Sequence, residues 1–243
     1  MTVEELIERK GFGRISRPDD RDHRFPMSAM FTPDQTRDMP PSKYWRTQKV
    51  RDQGNSSTCV AQSWRHFLEA APIMTKPTNG VGINELYKAA QEVDEWEGES
   101  YEGTSVRAGA KVLQARGHLQ SYVWAFDDAT VQKYVLTQGP VVIGTTWYEG
   151  MMIPDENGFI RPTGANLGGH ACLVVGFDNK RDAFRILNSW GPGWGQTGRA
   201  WLPKTALHKL MQDDGEACAA IEIKISDTNT LSGAASNPSE SVK

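Results

Sequence analysis

Over residues 59 to 71, CVAQSWRHFLEAA, apolar side chains recur at Val60, Trp64, Phe67, Leu68 and Ala71. That spacing lines one face of a helix, and Pro72 ends it. The same period predicts a second helix over about Ile83 to Val93. It predicts a third over about Ser105 to Ala115, stopped by Gly117. Beyond Gly117 the pattern changes. PVVIGTTW, HACLVVGF, AFRILNSW, GRAWLP and AAIEIKI are short apolar runs bounded by glycine, proline and aspartate, which predicts strands. Residues 129 to 137 and 204 to 211 read as short helices between them. Helices first and strands second describe an α+β chain.

The two ends differ from this body. Thr2 followed by Glu5 fits a capping box, so a short helix is expected to run to about Lys10. Residues 11 to 48 are rich in proline, arginine and aspartate and show neither period. Apolar anchors at Phe25 to Met27, Met30-Phe31 and Tyr44-Trp45 favour an extended arm packed on the body. Residues 1–44 are therefore expected to form an N-terminal helix and arm. Residues 226–243 are polar and low in complexity and are expected to be a disordered tail.

Composition narrows the function. Of 243 residues 38% are apolar and 23% charged, with a net charge of -3, so no basic field suggests nucleic acid. No apolar run approaches the ~20 residues that span a bilayer. The N-terminal stretch is charged without an apolar core, unlike a secretory signal, so a cytoplasmic location is expected. The three cysteines, Cys59, Cys172 and Cys218, are too few and odd in number for a disulfide framework. No Cys-x-x-Cys or His-Glu-x-x-His occurs, so neither a metal nor an organic cofactor is expected.

Cys59 opens its predicted helix, with Thr58 as a candidate cap, so the positive end of the helix dipole faces the sulfur and favours the thiolate. A nucleophile also needs a base. His66 lies two turns along the same helix, ~10 Å away, and cannot serve. His23, His118 and His208 sit in polar surroundings. His170 opens the apolar run HACLVVGF after two glycines, a strand-end position that projects into a cleft and leaves room for another backbone. Asn188 ends another strand-like run and can hold the imidazole in one tautomer, with Trp190 and Trp194 excluding water. Gln53, with the Cys59 backbone N–H, can donate to an oxyanion.

DQGNSSTC, then GGHA, then LNSWGPGWGQTG resembles the papain-like cysteine peptidases over about residues 44 to 225. The resemblance implies Cys59 as nucleophile, His170 as acid and base, Asn188 as its orienting partner, Gln53 as oxyanion donor and Trp190 as the shield. It implies the two-lobed papain-like fold: a helical lobe at about 45–125 carrying the nucleophile helix and an antiparallel β-barrel-like lobe at about 126–225. It also implies that Gly103 bonds the substrate backbone, that Gly169 lets a chain approach His170, and that Ser105 and Val106 border the pocket for the residue two before the scissile bond. Ile223 would floor that pocket and favour an apolar side chain.

Three features depart from the family. Ser56 replaces a disulfide cysteine, Val60 replaces the tryptophan after the nucleophile, and Cys218 has no disulfide partner near Gly164. They point to a bacterial- or viral-type branch without the disulfides or the long propeptide. The reading is a monomeric cysteine endopeptidase acting on peptides or proteins, with the arm in contact with the cleft. Acyl transfer on the same site and a non-catalytic binding or virion-structural module are the alternatives.

Overall fold

The structure, a computed structural model, describes residues 2–34, 38–74, 81–94 and 101–222. Ile223 and the tail 226–243 lie outside the described residues. The helices are α1 (Val3–Arg9), α2 (Cys59–Leu68), α3 (Ile83–Val93), α4 (Val106–Ala115), α5 (Asp128–Thr137) and α6 (Lys204–Asp213). The strands are β1 (Ser42–Tyr44), β2 (Leu119–Ala125), β3 (Val141–Tyr148), β4 (Asn166–Asp178), β5 (Ala183–Leu187), β6 (Arg199–Pro203) and β7 (Glu216–Glu222). This is the α+β class that the periodicities predict.

The strands form one antiparallel sheet in the order β2-β7-β3-β4-β5-β6, with β1 paired to β4. β4 explains how the sheet separates two cores. Side chains along a strand alternate between faces, so Cys172 and Val174 enter one core while Ala171, Leu173 and Val175 enter the other. The first core contains α5, α6 and the tryptophans Trp147, Trp190 and Trp194. The second is filled by α2, α3 and α4. Cys59 and Ala171 both belong to the second core, so the start of α2 lies beside His170, which is the fifth residue of β4 and not at a strand end as expected.

Three local expectations change. The helix that starts at Cys59 ends at Leu68 rather than Ala71. Thr58 does not cap it: its hydroxyl lies 2.8 Å from Ser56 Oγ instead. β2 was not legible as a strand, because Gln120, Ser121 and Tyr122 interrupt its buried residues. It joins the sheet by pairing with β7, Tyr122 opposite Ala220. At the other end the capping box forms as predicted, with Glu5 N–H donating to Thr2 Oγ1 at 3.2 Å and Thr2 N–H donating to the Glu5 carboxylate at 3.0 Å.

The arm packs on the body. Met27 is fully buried, a contribution of roughly 1.5–3 kcal/mol, and Trp124 N–H donates to Phe25 O at 2.9 Å beside it. The nucleophile helix is held as tightly. Trp64 Nε1 donates to Val106 O at 2.9 Å, and a Cβ on Gly109 would come within 2.4 Å of the Trp64 ring. Gly109→Ala is therefore expected to destabilise the fold by about 1–3 kcal/mol through overpacking, read as a lower urea midpoint at unchanged slope.

Candidate active site

Cys59 is the first residue of α2 and is fully buried. The backbone N–H groups of Ala171, Gly13 and Val60 favour its thiolate. The first of these belongs to the residue after His170, so β4 brings the imidazole to the nucleophile. His170 Nε2 lies 2.8 Å from Asn188 Oδ1. That oxygen also accepts from Ser189 N–H at 2.8 Å, so it is an acceptor and Nε2 carries the proton. Nδ1 is then the basic nitrogen, and it has no partner among the described residues.

An aromatic wall surrounds this pair. Trp190, read from the sequence as a shield, lies 4.9 Å from the His170 ring. Trp147 of β3 lies 4.8 Å away edge-on and was not foreseen. Thr145 is the residue opposite His170 in the ladder, and Trp147, two residues on, shares its face. Only that register could reveal it.

Gln53 is placed by Ser189. The Gln53 N–H donates to Ser189 O at 2.8 Å, and Ser189 Oγ donates to Gln53 Oε1 at 2.6 Å. The Gln53 Nε2 group therefore faces the cleft, where it donates to Gly11 O at 3.0 Å and to Ser56 O at 2.7 Å.

Gly11 belongs to the arm, and the arm runs through the cleft. Lys10 Nζ bonds Asp52 at 2.7 Å. The ring of Phe12 stands edge-on to His170 and Trp190, each at 6.0 Å. Gly13 and Arg14 N–H groups donate to Gly169 O at 3.1 and 3.0 Å. Thr104 N–H donates to Gly13 O at 2.9 Å, and Ile15 N–H donates to Thr104 O at 3.0 Å, in a parallel bridge. Glycine is required at this approach: a Cβ on Gly13 would lie 2.0 Å from Ser57 O and one on Gly169 would lie 1.9 Å from Arg14 O.

Several pocket expectations are corrected. Thr104, not Gly103, pairs with the backbone in the cleft. Gly103, at φ +106°, donates to Tyr87 Oη at 2.7 Å and supplies space, since a Cβ there would meet Gly13 O at 2.7 Å. Ser105 caps α4 by accepting from Ala108 N–H at 3.1 Å instead of lining the pocket. Val106 does border it. The expected apolar floor at Ile223 falls outside the described residues, and the pocket that is seen is acidic. Arg14 Nε donates to Glu216 at 3.0 Å and Nη1 to Asp214 at 2.9 Å.

Burial controls the charges. It pushes the Cys59 thiol up to about 11, against the opposing pull of the three N–H groups. It pushes the His170 imidazole down to about 4, although the Asn188 hydrogen bond favours the cation. With the arm in place both groups are neutral near pH 7. Burial thus opposes the thiolate that the helix dipole favours. The other histidines stay out of the chemistry: His66 is buried within α2, and His208 bonds Asp128 at 2.7 Å. All three cysteines are free and buried.

The chain matches the family described as papain family cysteine protease over residues 84–213, more than half of its length. It belongs to that family. The match takes in His170 and Asn188, and the fold brings Cys59 and Gln53 to them. Among similar papain-family proteins, cathepsin B-like cysteine proteinase 5 of Caenorhabditis elegans is 34% identical over 70 residues, 28% of this chain and 20% of that protein. Cathepsin B of Dictyostelium discoideum is 31% identical over 84 residues, 33% of this chain and 27% of that protein. The chain thus spans about a fifth to a quarter of these relatives. The crystal structure of xylellain, a cysteine protease from Xylella fastidiosa, shares the fold at TM-score 0.68, with 19% identity over 89% of this chain and 98% of that one.

Proposed function

We propose that this chain is a cysteine endopeptidase that cuts peptide bonds through an acyl-enzyme on Cys59, and that residues Gly11–Ile15 hold it in a blocked state. The observation that carries this reading is the arm itself. A stretch of extended backbone already uses the Gln53 amide, the Gly169 carbonyl and both polar groups of Thr104 in one row past Cys59. A peptide substrate needs the same groups. The relatives named proteinase and protease support the class of reaction.

Once the arm has left, the Cys59 thiol passes its proton to His170 Nδ1, the nitrogen that Asn188 leaves free. The thiolate attacks the peptide carbonyl carbon. The oxyanion accepts from Gln53 Nε2–H and the Cys59 N–H, placed before the charge develops. As the C–N bond breaks, His170 gives its proton to the leaving amine. Water then attacks the thioester with His170 as base, releasing the acid and restoring the thiol.

The arm resists this sequence because of its direction. Its Gly13 N–H is committed to Gly169 O and its Gly13 O to the Thr104 N–H. The resemblance places the acyl side of a substrate at Gly103, where the chain leading up to the cut bond lies. The arm instead puts there the residues that follow Gly13.

Peptide-library digestion tests the reading, with the full chain carrying Arg14→Ala compared with the same chain carrying Cys59→Ala as well. Cleavage by the first alone is expected. Silence from both sinks the peptidase reading. A competing amine in the digest separates hydrolysis from acyl transfer by the products formed.

A further inference from the structure

Arg14 does more than fill space in the cleft. Its guanidinium is almost fully buried and meets acceptors on every edge. Nε donates to Glu216 at 3.0 Å, Nη1 to Asp214 Oδ2 at 2.9 Å, and Nη2 to Asp214 O at 2.5 Å and Ser16 Oγ at 3.2 Å. The acceptors are themselves built in. Asp214 Oδ1 receives the Thr146 hydroxyl at 2.9 Å. Glu216 starts β7 opposite Gly144 of β3. A Cβ on Gly144 would lie 2.9 Å from Arg14 Nε and 3.0 Å from Glu216 Oε1, so the missing side chain makes the room. The nearby Arg107 is engaged elsewhere, by Asp19 and Asp22. Among the described residues Arg14 is the cation hydrogen-bonded to Glu216.

The position of this seat relative to the nucleophile is equally defined. Gly13 packs against Ser57, two residues before Cys59, and bonds Gly169, the residue before His170, while Arg14, one residue on, enters the seat. The seat opens onto a cavity of about 300 Å³ whose lining includes Asp20 and Asp213 and no lysine or arginine. Departure of the arm leaves Glu216 and Asp214 without their cation in a partly dry site, which is costly unless another cation enters.

We infer that Glu216 and Asp214 are the specificity residues of this site and select an arginine side chain one residue before the residue acylated on Cys59, the arm lying there in the reverse direction. The substrate class is then peptides basic at that position, and Arg14 is the internal occupant that a substrate must replace. The fork geometry, with Nε and both terminal nitrogens engaged, favours arginine over lysine. This inference rests on the peptidase reading above.

The test uses the full chain carrying Arg14→Ala and two fluorogenic coumarin amides, acetyl-Arg-Arg and acetyl-Leu-Arg. The expected kcat/KM ratio favours the first by on the order of 100-fold, because the leucine leaves two carboxylates unpaired. Adding Glu216→Gln or Asp214→Asn is expected to bring the ratio to within a few-fold of one. Equal or better cleavage of the leucine substrate overturns the inference while the peptidase reading stands. A ratio that neither substitution moves also overturns it. If neither amide is cut, the peptidase reading fails. Calorimetry with acetyl-Arg-Arg-amide and acetyl-Leu-Arg-amide on the chain carrying Arg14→Ala and Cys59→Ala then decides the pocket. Tighter arginine binding that Glu216→Gln abolishes supports it, and equal binding overturns it. Phe12→Ala, which loosens the arm through its aromatic contacts, replaces Arg14→Ala if that chain does not fold.

Discussion

Replacing His170 with alanine in the Arg14→Ala chain is expected to lower kcat/KM for peptide hydrolysis by about 10⁴-fold or more. Cys59→Ala should cost as much, and the two together little more than either alone. The reason is that the residues act as one unit. Without His170 nothing takes the thiol proton, and nothing protonates the leaving amine. What survives is binding and the Gln53 donor. Asn188→Ala should cost less, because it frees the ring to turn without removing it. The alternative, a binding module on this fold, predicts no hydrolysis to lose. An active His170→Ala chain would place the base elsewhere.

The second large effect is release of the nucleophile. In the full chain Cys59 is held near 11 and His170 near 4, so between those values the pair carries no charge. About one thiol in ten thousand is ionised at pH 7 on that value. Labelling by iodoacetamide is therefore expected to be slow from pH 5 to 9 and to rise only towards pH 11. Arg14→Ala removes one partner of a largely buried ion pair. Breaking such a pair costs about 3–5 kcal/mol when both charges are dry. Asp214 is 37% exposed, so about 2 kcal/mol is a fairer figure, or some 30-fold more of the open form. Water then reaches both groups, the thiol value falls, the imidazole value rises, and labelling at pH 6 should increase by a similar factor. His170→Ala added to this chain should remove the gain at pH 6 and return the profile of an ordinary thiol. An unchanged rate and pH profile in Arg14→Ala would mean that the arm does not control access.

The division between what could be read and what could not follows from the range of each signal. α2 to α4 were legible because their apolar faces repeat every 3.6 residues. The strand runs from β3 onward were legible because glycine, proline and aspartate bound them. Gln53, Cys59, His170 and Asn188 were singled out by residue type, spacing and neighbours. β2 was hidden because polar residues interrupt its buried positions. Trp147 was hidden because its place beside His170 depends on the β3–β4 register. The Gly11-Phe12-Gly13 stretch did carry a usable signal. Two glycines around an aromatic, in a charged segment, mark a backbone that must pass close to another.

By itself the sequence determined the α+β class and the strands from β3 onward with the helices between them, and its resemblance to the papain-like peptidases singled out the four residues proposed for the site. These depend on local periodicity and on the chemistry of individual side chains. Tertiary structure alone decided that Arg14 reaches Asp214 and Glu216, some two hundred residues away. It decided that Thr104 pairs with the arm in place of Gly103, and that Cys59 and His170 are buried, which disfavours the charged form of each. A pairing across that distance, and the exclusion of water it brings, are properties of the folded surface and have no period along the chain.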